Sequence, residues 1–171
     1  GNEVMAAGTP LKPGWVYDSN RASLRGALSS LGVEVLDLGL VPDRHEAIAE
    51  ALTRGGQQAD AIISTGGVSV GEFDLVKPVL RELGEIVFWK VAMQPGKPQA
   101  YGKLGRAMFF GLPGNPVACL VVYHLIVRQA LLKMMGVTPM PVPIMTLPFR
   151  GRVKKKSCRM NFLRGRVQFG A

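Results

Sequence analysis

Two glycine-rich loops, each directly after an apolar strand, constrain the fold of this chain more than any other feature. The first loop covers residues 64–74 (STGGVSVGEFD), and the second covers residues 111–116 (GLPGNP) at the start of a long apolar helix. A glycine-rich turn at the carboxyl end of a strand directs several backbone N–H groups to one point, and a following helix adds positive potential. The sequence therefore predicts a phosphate-bearing ligand at one edge of a sheet.

Strands and helices alternate along residues 1–137. Apolar stretches predict strands at residues 33–36, 61–63, 86–89 and 108–110. Helical spacing of apolar residues predicts the intervening helices, with Asp18 and Asn115 as N-cap candidates and Gly32 as a C-terminal signal. This alternation is typical of a three-layer α/β/α domain, in which helices cover both faces of a mostly parallel sheet. Ligands of such sheets bind at the carboxyl ends of the strands, where both glycine loops lie.

The character of the sequence changes after residue 137. Residues 138–143 (TPMPVP) are rich in proline, which predicts an extended linker. Residues 149–153 and 162–169 have the pattern of two short strands, and two strands are too few for an independent domain. We therefore expect residues 144–171 to be the beginning of a small, truncated β domain.

Charge is divided unevenly along the chain, whose formal net charge is +9. All twelve acidic residues lie in residues 1–85, whereas residues 86–171 hold fourteen Lys and Arg residues and no acid. Such a basic half is typical of nucleic-acid binding, of a surface that receives an anionic small molecule, or of one piece of a longer, balanced chain. Few aromatic residues interleave with the basic ones, so nucleic-acid binding is the least favoured of the three.

The sequence favours a soluble protein of a reducing compartment. The cysteines, Cys119 and Cys158, lack CxxC spacing, and Cys119 lies in an apolar run that predicts a buried thiol. We therefore expect no disulfide framework and a cytoplasmic location. The most apolar run, residues 116–127, is too short to span a bilayer, and His124 and Arg128 interrupt its extension.

The first glycine loop combines small residues with hydroxyl and carboxylate side chains. Small residues allow the backbone to approach an anion, and Mg²⁺ takes one or two carboxylates together with substrate phosphates. A tight strand-to-helix turn and helix capping are the structural alternatives. The candidate substrate-binding residues of this loop are Thr65, Gly66, Gly67, Ser69 and Gly71, and the candidate metal ligands are Glu72 and Asp74.

Four charged residues outside that loop are further candidates. Glu3 and Asp43 each follow an apparent strand end, so both carboxylates are expected at the same mouth, and solvated or capping carboxylates are the alternative. Lys90 ends the motif FWK, and Lys97 lies in the loop QPGKP at residues 94–98. A lysine in such a loop is a point charge suited to phosphate or another oxyanion, and a solvated surface lysine is the alternative.

The order and spacing of these motifs resemble the molybdopterin molybdenumtransferase family, whose eukaryotic relatives include the gephyrin E domain. The motifs are residues 1–4 (GNEV), 17–21 (YDSNR), 64–74, 88–90 (FWK), 95–98 (PGKP) and 111–116. They match the family's third domain over nearly all of residues 1–137, and residues 144–171 resemble the start of its fourth, β-rich domain. On this resemblance we expect a fragment that lacks the family's first two domains and the strand before Gly1.

The resemblance implies an enzyme of molybdenum cofactor biosynthesis. The family inserts molybdenum from molybdate into adenylylated molybdopterin, requires Mg²⁺ and releases AMP. The resemblance matches Asp74 and Glu3 to acidic residues of the metal-dependent step and Asp43 to another acidic position at the cleft, and we count Lys90 with the catalytic candidates. The residues implied in molybdate binding and in the shaped proline loop are Lys97, Pro98, Pro113, Gly114, Asn115 and Pro116.

Two positions depart from the family pattern, and both lie near the expected oxyanion site. Gln94 stands where many relatives have Lys, and Ala118 stands where many have Ser. In the family, the site is completed across a homodimer by domains that this sequence lacks. We therefore expect weak ligand binding and poor turnover by this fragment alone. The adenylyltransferase of the same pathway is a further expected partner.

Two other functions stay open at this point. The adenylyltransferase of the same pathway shares the domain fold, but residues 69–72 (SVGE), residues 114–116 (GNP) and the extension after residue 137 favour the insertion enzyme. A non-catalytic binding or scaffold module, which gephyrin illustrates, requires an exposed groove, of which the sequence gives no specific sign.

Overall fold

The computed structural model describes residues 2–67, 75–138, 143–153 and 158–168. The strands in chain order are β1 (Val4–Met5), β2 (Val16–Tyr17), β3 (Ala61–Thr65), β4 (Glu85–Lys90), β5 (Met93–Gln94), β6 (Pro98–Leu104), β7 (Ala107–Leu112) and β8 (Met160–Asn161). The helices are α1 (Ser19–Ser29), α2 (His45–Gln58), α3 (Val76–Leu83), α4 (Pro116–Val122) and α5 (Arg128–Met134), with a π-helical segment at Tyr123–Val127 that joins α4 to α5.

The central sheet has four strands in the order β3-β7-β6-β4. The strands β3 and β7 are parallel, whereas β6 pairs antiparallel with both of its neighbours, β7 and β4. The predicted α/β class is confirmed, but the described sheet is mixed rather than mostly parallel. The reason is the turn at Gly105 and Arg106, which joins β6 directly to β7 as a hairpin and therefore makes that pair antiparallel.

Helices cover both faces of the sheet, as the three-layer prediction requires. One core cluster lies under α2 and α3 and includes Leu52, Leu80 and Phe109. The other lies under α1, α4 and α5 and includes Leu24 and Val122. Successive residues of a strand contribute to opposite clusters because side chains alternate between the two faces of a sheet.

Two of the predicted helix starts are confirmed by their capping contacts. Asp18 accepts a hydrogen bond from the backbone N–H of Arg21 at the start of α1. Asn115 accepts from the backbone N–H groups of Val117 and Ala118 at the start of α4, with Pro116 at the first helical position. A side chain that satisfies these free N–H groups stabilises a helix start by about 1 kcal/mol.

The helix α2 continues past Gly55 and Gly56 to Gln58, although glycine commonly ends a helix. The two glycines serve packing instead: a Cβ on Gly55 would lie 3.2 Å from the Ile62 side chain, and one on Gly56 would lie 3.1 Å from the carbonyl oxygen of Leu104. These small residues let α2 approach the sheet closely.

Three predicted strands are not formed in the described residues. Residues 33–36 have no strand partner, and neither residues 149–153 nor residues 162–168 form a strand. Instead, β8 pairs in parallel with β5, and the backbone N–H groups of Met160 and Phe162 donate to the carbonyls of Ala92 and Gln94. An isolated strand gains little stability without a neighbouring strand. The edge of β5 therefore determines which tail residues become extended, because it offers a strand to pair with.

The helix from Pro116 to Met134 is long and apolar enough to cross a membrane, by length and composition alone. Its inner face packs against the sheet, where Cys119, Val122, Tyr123 and Val127 are buried in the second core cluster. A helix with one face buried in this way is typical of the core of a folded domain.

Candidate functional site

A cleft of about 430 Å³ lies at the carboxyl ends of β3 and β7, next to the loop between β5 and β6. It is formed where three segments of the chain meet: the first glycine loop, the second glycine loop and the loop that contains Lys97. Arg159, from the segment just before β8, completes its wall. The lining residues are Gly66, Met93, Gln94, Pro95, Gly96, Lys97, Pro98, Pro113, Gly114, Asn115, Ala118 and Arg159.

The two glycine loops touch each other at one edge of this cleft. The parallel pairing of β3 with β7 aligns Thr65 with Leu112, and the backbone N–H of Gly66 donates to the carbonyl of Leu112 over 3.0 Å. A Cβ on Gly114 would lie 3.6 Å from the Cα of Gly66. The predicted juxtaposition of the two loops is therefore present.

The second loop is held from behind by a buried side chain of α1. Asn20 is 8% exposed, and its Nδ2 donates a hydrogen bond of 2.8 Å to the carbonyl of Gly114. The Oδ1 atom of Asn20 is buried without a hydrogen-bond partner within the described part of the chain. Asn20 belongs to a motif that the sequence singled out, but its contact with Gly114 bridges 94 residues and has no local sequence signal.

The start of α4 offers less to an anion than the sequence suggests. Its first N–H groups, at Val117 and Ala118, are already taken by the Asn115 side chain, and Pro116 has no N–H. Positive charge at the cleft therefore comes mainly from side chains, and the lining includes two cationic ones, Lys97 and Arg159. Arg159 was not singled out as a site residue, because only the pairing of β8 with β5 brings this part of the tail to the cleft.

The loop between β5 and β6 adopts a tight, unusual backbone path. The peptide bond between Gln94 and Pro95 is cis, and Gly96 has a φ of 105°. A Cβ on Gly96 would come within 2.8 Å of the Val122 side chain, so only glycine fits this position without movement of α4. Lys97 follows with an exposed side chain, and its carbonyl accepts from the backbone N–H of Val91 over 2.9 Å.

The other predicted residues fall into two groups. Thr65 and Gly67 adjoin Gly66 at the end of β3, Lys90 lies opposite Pro98 in the pairing of β4 with β6, and Pro116 begins α4 beyond Asn115. None of these four is among the residues that line the cleft. Four further candidates lie outside the described residues: Ser69, Gly71, Glu72 and Asp74.

The carboxylates of Glu3 and Asp43 are described, and neither lines the cleft. Asp43 instead forms a reciprocal pair with Asn2: its Oδ2 accepts from the N–H of Asn2, and its own N–H donates to Asn2 Oδ1, over 2.9 and 3.0 Å. This pair ties residues 2–3 to the turn before α2. In the described ranges, no group of three His, Cys, Asp or Glu side chains is arranged to hold a metal ion.

Cys119 is a core residue, as the apolar run around it predicts. It is fully buried in the second cluster, and this burial raises the pKa of its thiol to about 11. A neutral, enclosed thiol is a poor nucleophile, because the thiolate is the reactive form. The site chemistry therefore does not involve this cysteine.

Comparison with known proteins identifies the domain. Residues 3–133 match the family described as probable molybdopterin binding domain. The chain belongs to this family. It is 42% identical over 170 residues to the molybdopterin molybdenumtransferase of Haemophilus influenzae, in an alignment that covers 96% of this chain and 41% of that protein. Gephyrin of Dictyostelium discoideum is 32% identical over 151 residues, which are 74% of this chain and 21% of gephyrin.

A solved structure of a molybdopterin biosynthesis protein from Pyrococcus horikoshii superposes with a TM-score of 0.71 at 35% identity, over 81% of this chain and 34% of that one. The resemblance inferred from the motifs is thus confirmed at the level of the molybdopterin-binding domain. This chain spans about two fifths or less of the length of each of these relatives.

Proposed function

We propose that this chain carries the substrate-binding core of a molybdenum-inserting transferase of molybdenum cofactor biosynthesis. On this proposal, it binds adenylylated molybdopterin and molybdate, and molybdenum enters the pterin as AMP leaves. The observation that carries the proposal is the cleft in which both glycine loops meet Lys97 and Arg159. The names of its relatives agree with this assignment.

Different residues of the cleft are proposed to contact different parts of the substrates. Gly66 and residues 113–115, which line the cleft, present backbone to a phosphate-bearing pterin, and Thr65, Gly67 and Pro116 lie beside them in the chain. Lys97, with Pro98 beside it, and Arg159 supply positive charge for an oxyanion such as molybdate. Cations fixed before the reaction stabilise negative charge that develops during it without the cost of reorienting water. The transfer itself needs no covalent intermediate on the enzyme.

The Mg²⁺ requirement remains a proposal from the sequence. Mg²⁺ typically relies on one or two protein carboxylates plus substrate phosphates. We assign those carboxylates to Asp74 and Glu72, with Glu3, Asp43 and Lys90 as further catalytic candidates. When bound, Mg²⁺ neutralises charge on the phosphates of the substrate. In a full-length protein, an Asp74→Asn variant is expected to lose Mg²⁺-dependent AMP release while its circular dichroism spectrum stays unchanged, and unchanged release would remove Asp74 from this role.

The docked tail favours this function over the adenylyltransferase of the same pathway. The pairing of β8 with β5 places Arg159 in the cleft wall, so residues beyond the α/β domain contribute to the site.

We further propose that the enzyme works in the cytoplasm as a homodimer and that the adenylyltransferase delivers its substrate.

The deciding experiment is a titration of adenylylated molybdopterin into the 171-residue chain, with and without Mg²⁺ and molybdate, while AMP is measured. Binding followed by molybdate-dependent AMP release supports insertion by this domain alone. Binding without release supports a site that other domains or a second subunit complete. Formation of adenylylated product from ATP and molybdopterin supports the adenylyltransferase instead, and no binding of any of these compounds contradicts the proposal.

Lys97 is the side chain whose removal tests the oxyanion site most directly. A Lys97→Ala variant is expected to bind molybdate about 10- to 150-fold more weakly, since a charge-assisted contact contributes roughly 1.5–3 kcal/mol. Lys103→Ala is the matched control, because Lys103 is an exposed lysine at the far end of β6 and does not line the cleft. Equal molybdate affinity of the two variants would remove Lys97 from the site.

A further inference from the structure

A fully buried polar side chain lies directly behind the loop that carries Lys97. Gln99, near the start of β6, is 0% exposed. It lies on the same face of β6 as Tyr101, which packs against the cluster under α1, α4 and α5. Burial of an amide in an apolar core costs free energy unless its hydrogen bonds are satisfied, so its partners indicate why it is there.

The amide of Gln99 is engaged at both ends. Its Nε2 donates to the carbonyl of Gly96 over 2.5 Å and lies 3.0 Å from the sulfur of Met93. Its Oε1 accepts a hydrogen bond from the hydroxyl of Tyr101. Because that hydroxyl donates to Oε1, the amide is turned so that Nε2 faces the loop. Burial raises the pKa of Tyr101 to about 12, so the donor persists across the physiological range.

These contacts reach two residues that line the cleft, Met93 and Gly96. Gly96 is also pressed against α4, since a Cβ there would meet the Val122 side chain at 2.8 Å. The residue that follows is Lys97, whose side chain is exposed. The carbonyl of Gly96 is thus fixed by Gln99 immediately before the lysine, and the carbonyl of Lys97 is fixed by Val91.

We propose that Gln99 is a positioning residue of the cleft, which holds the segment from Met93 to Lys97 in place and thereby sets the position of the Lys97 ammonium. The ligand of that ammonium, an oxyanion of the molybdate class, rests on the proposed function. The positioning itself does not, because it is a property of the protein without ligand.

The main test replaces Gln99 by methionine, which preserves the length of the side chain and removes both hydrogen bonds. We expect the backbone amide of Val91, which donates to the carbonyl of Lys97, to exchange hydrogen faster in Gln99→Met, and sodium molybdate to bind about three- to tenfold more weakly. Leu52→Ala is the control for general loss of stability, because Leu52 lies in the core cluster on the other face of the sheet. It is expected to unfold more easily but to retain slow exchange at the Val91 amide under native conditions.

A second variant, Gln99→Glu, separates the hydrogen bond from mere packing. Burial raises the pKa of a carboxyl group, and only its protonated form donates a proton to Gly96 while it accepts from Tyr101. Lowering the pH from about 8 to about 6 should therefore slow exchange of the Val91 amide in Gln99→Glu, after correction for intrinsic exchange rates. Gln99→Met has no such group and should show no recovery.

Each arm has a result that overturns the proposal. A wild-type exchange rate at the Val91 amide in Gln99→Met would show that the side chain does not hold the loop. Faster exchange with unchanged molybdate affinity would show that the loop does not set the anion contact. If the wild type itself binds no molybdate, the proposed oxyanion site fails, whereas the exchange experiment still decides whether Gln99 positions the loop.

Discussion

At the scale of single residues, two buried carboxamides shape the cleft from behind. Asn20 donates to the carbonyl of Gly114, and Gln99 donates to the carbonyl of Gly96. Both acceptors are glycines of cleft loops, which lack side chains that pack and fix their own position. A carboxamide supplies a directed donor without adding a charge, so it orders a loop without competing with the cations for an anion.

The contact between Asn20 and Gly114 predicts a graded loss of stability. Asn20→Ala removes one buried hydrogen bond and also the unpartnered Oδ1, so the free energy of unfolding should fall by about 1 kcal/mol. Asn20→Asp should cost more, because it turns a carboxylate oxygen toward a carbonyl oxygen and buries a charge. Urea denaturation at neutral pH measures both values. An Asp variant more stable than the Ala variant would contradict the assigned hydrogen bond.

The two cysteines should differ sharply in reactivity. Cys158 is exposed, whereas Cys119 is buried and its thiol pKa is raised to about 11. Iodoacetamide at neutral pH should therefore label one thiol in the folded protein and two after unfolding in urea, as counted by mass spectrometry. The raised pKa keeps Cys119 in its neutral thiol form until the pH approaches that value, so labelling of the folded protein at neutral pH should stop at one thiol. Rapid native labelling of Cys119 would contradict its buried position.

Single residues could be predicted from the sequence where their partners are close along the chain. The caps Asp18 and Asn115 bond to N–H groups two or three residues away, so a short motif contains the whole interaction. Gln99 and Arg159 had no such signal. The role of Gln99 depends on a tight loop that folds back on it, and that of Arg159 depends on a strand pairing across more than sixty residues.

At the scale of elements, the sheet depends on very close packing between β4 and β6. Gly102 of β6 lies opposite Ile86 of β4, and a Cβ on Gly102 would come within 2.0 Å of the carbonyl oxygen of Glu85. At such a distance the strands would have to separate. Glycine at this position is therefore required by the approach of a neighbouring backbone, not by a special φ angle.

Two glycine-to-alanine substitutions should consequently have opposite effects on the stability of the folded protein. Gly102→Ala should destabilise the protein by several kcal/mol or prevent soluble expression, because the added methyl group meets backbone that cannot move aside. Gly26→Ala is the control: it lies in α1 with no atom within 4 Å of the added Cβ, and it should stabilise by about 0.5–1 kcal/mol. Thermal unfolding of both variants checks the sign, and a stable Gly102→Ala protein would contradict the packing.

Elements could be predicted where hydrophobic pattern and burial agree. The strands β3 and β7 and the long helix from Pro116 were recognised because each has a buried apolar face. The failure at residues 33–36 has the opposite cause, since this apolar stretch finds no strand to pair with in the described sheet. The mixed sheet was missed because two residues, Gly105 and Arg106, make the hairpin that reverses the chain.

At the scale of the whole molecule, part of the tail packs beside the cleft. The strand β8 extends β5, Phe162 packs against the cluster under α4, and Arg159 lies in the cleft wall. Of the fourteen Lys and Arg residues in residues 86–171, Lys97 and Arg159 are therefore both brought to the cleft. This placement favours an anionic small molecule over nucleic acid, which requires an extended basic surface.

This arrangement predicts that molybdate binding depends on where a positive charge lies in the tail and not on the total charge of the tail. Arg159→Gln should weaken molybdate binding about three- to tenfold, because it removes a cation from the wall of the cleft. Arg166→Gln removes the same charge from an exposed position of the same tail and does not line the cleft. Its effect should be small and should vanish at high salt, since exposed charges are screened beyond about 8–10 Å. A chain that ends at residue 137 should bind molybdate no better than Arg159→Gln, because it loses the same cation. Calorimetric titration at two salt concentrations distinguishes the cases, and equal losses for Arg159→Gln and Arg166→Gln would show that the tail contributes only diffuse charge.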